Sequence, residues 1–214
     1  MRARLRIALI AVLAMAATGC PADDTTTPPD GSGGALSITW ESQPAVIPSE
    51  PSSDATIERA VFLQDGLRVV GDAGTFDLDR DELEWSRGIV PTALPVMGAS
   101  PGLYSRLRFG LDGDEEDGDY AYEITGTVKV STAFQPFTIR DTEDLALSLD
   151  FSIMLPVGGS ATIPVRIAID KIVDAVDFAQ VPMEDGRYLV DTASPQISAV
   201  RAAVTAAFGV FGPS

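Results

Sequence analysis

The stretch Leu103-Tyr104-Ser105-Arg106-Leu107-Arg108-Phe109-Gly110-Leu111 decides the fold class. Leu103, Ser105, Leu107, Phe109 and Leu111 fall on one side of a two-residue period, and Tyr104, Arg106, Arg108 and Gly110 on the other, as in a strand with one apolar and one polar face. The period returns at Tyr120, Tyr122, Ile124, Val128 and Val130, beyond a short acidic segment. The two runs are therefore expected to pair as a hairpin. Leu145, Leu147, Leu149 and Phe151 predict a third strand, and Ile163, Val165, Ile167 and Ile169 a fourth.

Upstream, the apolar runs from Ile57 to Leu63 and from Leu67 to Val70 flank Asp65-Gly66, a dipeptide suited to a tight turn between strands. Leu36 to Trp40 adds an expected edge strand. Many short strands separated by turn residues argue for a mainly β protein, an antiparallel β-sandwich or barrel, over alternating β-α units. At the C-terminus the period lengthens. Ser194 can cap a helix, Pro195 suits its first position, Ile197, Val200, Val204 and Phe208 share one face, and Gly209 ends it. A shorter helical segment is expected from Asp170 to Phe178, with Ile172, Val173 and Val176 toward the sheet. Residues 36–214 thus read as one sandwich-like domain with a short helical segment and a C-terminal α-helix.

Ahead of that domain, Arg2, Arg4 and Arg6 precede an apolar run from Ile7 to Ala17 and then small residues up to Cys20. A basic head, a short apolar run and small residues make a secretory signal peptide, expected over residues 1–19. The run is shorter than the roughly 20 residues needed to span a bilayer core. Ala17-Thr18-Gly19-Cys20 resembles the lipobox of bacterial lipoproteins, which implies acylation of Cys20 followed by cleavage before it. Ordinary cleavage near Ala14 to Ala16 is the alternative. Cys20 is the sole cysteine of the 214 residues, so no disulfide within the chain is available. Pro21 follows it where Asp would signal inner-membrane retention, so the resemblance implies export to the envelope and anchoring at the outer membrane of a Gram-negative bacterium. From Pro21 to Ala35 the sequence is rich in Pro, Gly, Thr and Asp and reads as a flexible linker behind the lipidated cysteine, residues 20–35 together forming the tether.

Removing residues 1–19 takes away three of the 15 basic residues and none of the 31 acidic ones, leaving a net charge of −19. A nucleic-acid partner is excluded by that balance, since phosphate recognition needs clustered Lys and Arg. Contact with the membrane is expected through the lipid at Cys20 alone, with an envelope protein or a glycan as further partners.

A second resemblance lies in Ala99-Ser100-Pro101-Gly102-Leu103-Tyr104-Ser105-Arg106-Leu107-Arg108-Phe109. This segment looks like one that recurs in uncharacterised bacterial lipoprotein domains with prealbumin-like β-sandwiches. There a Pro-Gly turn leads into a strand with Tyr and Arg on its outer face and an Asp at its end, here Asp112. The resemblance implies a fold and no activity.

Catalytic motifs are scarce. Gly98-Ala99-Ser100-Pro101-Gly102 matches the G-x-S-x-G pattern of hydrolase nucleophile elbows, but Pro101 has no N–H to offer an oxyanion and the chain has no histidine to act as base. No catalytic residue is assigned and no enzyme is expected. Without histidine and with Cys20 committed, zinc, copper, haem and iron-sulfur sites lack ligands. Calcium remains. Asp112, Asp114, Glu115, Glu116, Asp117 and Asp119 place six acids in eight residues, and of these Asp112, Asp114, Glu116, Asp117 and Asp119 form the candidate ligand set. The alternative is a solvated acidic turn. Asp77, Asp79 and Asp81 repeat the pattern more weakly, and both runs lack the glycine of an EF-hand.

These features predict a non-catalytic, lipid-anchored envelope protein acting as a binding, assembly or structural module, with no cofactor beyond the calcium option. A calcium-dependent glycan-binding domain is the alternative, and a carbohydrate-active enzyme using paired carboxylates the second. Trp40, Trp85, Tyr104, Tyr120 and Tyr122 supply rings that either stack on sugar or pack in the core.

Overall fold

The computed structural model describes residues 34–49, 54–80, 82–113 and 119–211. The leader, Cys20, residues 21–33 of the linker and the acids Asp81, Asp114, Glu115, Glu116 and Asp117 lie outside the described residues.

The elements run β1 (Ala35–Gln43), β2 (Ala55–Gly71), β3 (Gly74–Asp77), β4 (Glu82–Trp85), β5 (Leu94–Val96), β6 (Gly102–Leu111), β7 (Tyr122–Val130), β8 (Ala133–Asp141), β9 (Leu145–Leu155) and β10 (Ser160–Ala168). There follow α1 (Ile169–Asp174), a 3-10 turn at Phe178–Gln180, β11 (Met183–Glu184), β12 (Arg187–Val190), α2 (Ile197–Ala207) and β13 (Phe208–Val210). The protein is mainly β, a sandwich-like arrangement of sheets with a C-terminal helix. One sheet has the order β13-β10-β1-β5, the other β11-β12-β8-β7-β2-β6-β9, with β3 and β4 also on β2.

The 17-residue β2 organises the larger sheet. Asp65-Gly66, expected to be a turn, lies inside it. Gly66 takes φ 59°, and the pairing with β6 shifts register between Asp65 and Arg68, so the dipeptide makes a bulge that bends the strand instead of reversing it. The reversal comes at Asp72-Ala73, closed by Gly71 opposite Gly74. Gly71 is required there, because a Cβ on it would meet the Leu103 carbonyl oxygen at 2.5 Å. The tight Asp-Gly hairpin occurs near the other end of the chain, at Asp185-Gly186 between β11 and β12, where both residues have positive φ, 46° and 80°.

The hairpin expected between β6 and β7 does not form. β6 pairs with Gln64 to Gly71 of β2, and β7 with Ala55 to Phe62. Between them the Leu63 carbonyl accepts from Asp112 N at 3.3 Å and Leu63 N donates to the Ala121 carbonyl at 3.0 Å. Both groups of one strand residue point the same way, so β6 and β7 lie in line along one side of β2. The two described ends of the acidic segment, Asp112 and Ala121, thus meet at Leu63.

Ser105 corrects the alternation of β6. The register with β2 slips between Val70 opposite Arg106 and Gly71 opposite Tyr104. This bulge turns Tyr104 inward, where it is fully buried, and Ser105 outward. Tyr104 Oη donates to the Ser100 carbonyl at 2.7 Å, and its buried ring replaces the outer-face tyrosine implied by the resemblance.

Two further expectations change. β1 is flanked by β10 and β5, so it is no edge strand, and it runs parallel to β10 over nine residue pairs. β12 likewise runs parallel to β8, so the sandwich is not wholly antiparallel. α2 buries Ile197, Val200, Val204 and Ala207 but stops there. Phe208 and Gly209 belong to β13, paired with β10. Ser194 bonds within the turn at Asp191 and does not cap the helix.

The core closes around rings placed by that early stop. Phe208 meets Phe62 of β2 and Phe109 of β6, each at 5.4 Å between centroids. Trp40 of β1 meets Phe109 at 6.3 Å, and Trp85 of β4 meets Phe62 at 6.2 Å, all edge to face.

Candidate functional site

Asp141, at the end of β8, is fully buried and accepts six hydrogen bonds. The donors are Arg201 Nε at 2.6 Å and Nη2 at 3.1 Å, Tyr122 Oη at 3.2 Å, Thr192 Oγ1 at 3.0 Å, and the backbone N–H groups of Thr142 and Glu143 at 3.0 and 3.3 Å. Burial pushes its carboxyl upward, but the bonds from Arg201, Thr192 and Glu143 outweigh burial and hold it below the usual carboxylate range. Tyr122 moves the opposite way, raised by burial and by the Asp141 charge. A carboxylate so fully used has no lone pair left for a ligand; it ties α2 to the sheet.

A different arrangement lies on the outer face of the larger sheet. Because Tyr122, Ile124, Phe137, Ile139, Tyr188 and Val190 point inward, the residues between them in β7, β8 and β12 point outward. There Glu123, Thr125, Thr138, Arg140, Arg187 and Leu189, with Glu184 and Asp185 from the β11–β12 turn, line a cleft of about 390 Å³. That volume falls within the roughly 300–1,000 Å³ of small-molecule sites.

Charge is unevenly matched across this face. Arg59 of β2 donates to Glu84 Oε1 of β4 at 2.9 Å and to Glu123 Oε1 of β7 at 2.8 Å. The Arg59 bond is the largest influence on Glu84 and lowers its carboxyl pKa against the opposing effect of burial. Arg140 of β8 stands directly opposite Glu123 in register, yet Glu123 is already engaged by Arg59. Arg140 instead lies over the ring of Tyr120, its Cζ 4.6 Å from the centroid, and its buried Nε has no hydrogen-bond partner among the described residues. Arg187, on the next strand, reaches only Thr138 Oγ1, at 3.5 Å. Among the described residues Arg140 and Arg187 form no ion pair, as is also true of Arg80, Arg87 and Arg108, whereas Arg59, Arg68, Arg106, Arg166 and Arg201 do.

The residues singled out in the sequence fall elsewhere. Asp112 and Asp119 stand near the two described ends of the acidic segment, where a Cβ on Gly113 would meet Ala121 N and come within 3.0 Å of the Asp119 carbonyl oxygen. The ends of the run are thus brought together. Asp114, Glu116 and Asp117 lie outside the described residues, and among the described residues no three acidic groups converge as a metal set. Asp77 is spent on Arg68. Ser100 is an exposed turn residue leading into β6. Of the five rings, Trp40, Trp85, Tyr104 and Tyr122 are buried, and Tyr120 is the one beside the cleft. Arg140 and Arg187 were not singled out. Arg140 sits in an Ile-Arg-Asp strand end, and its lack of a partner depends on where Arg59, remote in sequence, points.

No family model, no curated protein and no solved structure matches the chain. The fold and the cleft therefore carry the functional argument.

Proposed function

We propose that the protein is a non-catalytic, lipid-anchored envelope protein, held by an acylated Cys20 at the outer membrane of a Gram-negative bacterium, that binds an anionic group in the outer-face cleft. The uncompensated pair Arg140 and Arg187 carries the binding part of this reading. Arg80, Arg87 and Arg108 also lack an ion pair among the described residues, but Arg140 and Arg187 are the two that line one cleft together, and two guanidinium groups so placed favour an anion from outside. Binding is preferred to catalysis because Glu123, the acid on β7 within the cleft, is engaged by Arg59, while Glu184 and Asp185 are neighbours on one turn and not a pair that could flank a reacting bond. The leader and the Ala17-Thr18-Gly19-Cys20 segment support the anchor.

Growth with radiolabelled palmitate tests the anchor: label should enter the intact chain and be lost in Cys20→Ala, which should also leave the membrane fraction. Label retained by Cys20→Ala would remove the anchor from the reading. Acetate titration tests the cleft: it should raise the melting temperature of the wild-type chain and not that of Arg140→Gln. An equal response of both would remove the cleft.

A further inference from the structure

We infer that the ligand of the outer-face cleft is the carboxylate of a uronic acid unit, a sugar carrying one carboxylate among several hydroxyls. The inference rests on the proposal that this cleft is the binding site and adds the chemical class of what it takes.

Arg140 and Arg187 project from neighbouring strands, β8 and β12, onto one cleft. A guanidinium presents donors in a planar fork that matches carboxylate or phosphate. The surrounding acids decide between the two. Glu184 and Asp185, on the β11–β12 turn, form a lip of the cleft beside Arg187, which stands opposite Glu184 in register, and neither makes an ion pair among the described residues. A phosphate dianion held by the arginines would face both, so a singly charged group is favoured. The two lip carboxylates are acceptors only, so the rest of the ligand must donate. Thr125 and Thr138, opposite each other in register, add hydroxyls to the lining. One carboxylate with several hydroxyl donors answers all of these groups together.

Tyr120 adds a direction. Arg140 covers one face of its ring, which fixes the ring beside the cleft. Aromatic rings favour the apolar C–H face of a sugar, and Tyr120 alone among the candidate rings is not buried. The net charge of −19 on the mature chain opposes a densely charged polymer at long range, so the uronate is one unit of a largely neutral glycan.

The test uses the full chain in detergent, titrated calorimetrically at low salt with D-glucuronate, D-glucose, acetate and a tripeptide with a free C-terminus. D-glucuronate should bind more tightly than acetate, with D-glucose not detectable. Arg140→Gln and Arg187→Gln should each weaken it by about tenfold, the effect of losing a charge-assisted hydrogen bond. Arg140→Lys, which keeps the charge and loses the fork, should weaken it by less, and circular dichroism melts establish that each variant is folded. Equal affinity for acetate and D-glucuronate overturns the sugar and leaves the anion site standing, as does tight binding of the tripeptide alone. Binding of no probe, or binding unchanged in folded Arg140→Gln, overturns both the uronate and the cleft.

Discussion

Replacing Arg201 by Met removes two of the six hydrogen bonds on Asp141 and the one guanidinium that neutralises it at close range. The carboxylate has no exposed surface on which to recover solvation, whereas Arg201 is 26% exposed. Breaking a buried ion pair from one side costs about 3–5 kcal/mol. Since Tyr122, Thr192 and two backbone N–H groups still donate to Asp141, the lower end applies, about 3 kcal/mol. For a chain of this size each kcal/mol moves the melting temperature by about 2–4 °C, so Arg201→Met should melt about 6–12 °C lower at pH 7. The pH dependence gives a sharper check. In the wild type the Asp141 carboxyl is lowered on folding, so its contribution is complete above the unfolded value of about 3.9 and is lost as pH falls through the native value. In Arg201→Met burial goes unopposed by the guanidinium and the shift reverses. Protonation then favours the folded variant, and its deficit should shrink between pH 7 and pH 4. Melts at both pH values by circular dichroism measure this. A deficit at pH 7 below about 2 °C, or one that grows on acidification, would refute the account of Asp141.

Gly126→Ala should cost about 3 kcal/mol in denaturant unfolding, because its Cβ would overlap the Thr56 carbonyl oxygen and the Phe137 ring. Gln64→Met should raise stability by about 1 kcal/mol in the same assay, since Gln64 is buried with neither amide atom partnered among the described residues. Tyr104→Phe removes one bond to the Ser100 carbonyl and should cost about 1 kcal/mol. For the calcium reading of the acidic run, millimolar calcium at about 100 times its dissociation constant should add about 2.7 kcal/mol to the melt. The gain should vanish in Asp114→Ala/Asp117→Ala; an unmoved midpoint would leave the run as solvated surface.

Period-two alternation placed β7, β9 and β10 well because their inward residues pack on a continuous core. It misread β6 at one point, Tyr104, where a bulge exchanges faces; a bulge leaves no mark in a pattern of single residues. The Asp-Gly rule found the right turn chemistry in the wrong place: Asp65-Gly66 and Asp185-Gly186 are the same dipeptide, and neighbouring strands decide which reverses the chain. Parallel pairing of β1 with β10 joins residues far apart in sequence and has no local signature. The same holds for the cleft. Arg140 and Glu123 are visible as charges, but that Glu123 is taken by Arg59 is a property of three strands side by side.

The placement of β1 sets how the domain answers a pull from its N-terminal side. Tension along the strand axis, applied upstream of Gly34, slides β1 lengthwise against β10, across nine residue pairs in parallel register. In that geometry the rungs carry the load together, whereas peeling from a free end would break them one by one. The domain is built to resist shear along β1, so a pull on that strand should meet more resistance than one on the outer strands β11 and β12.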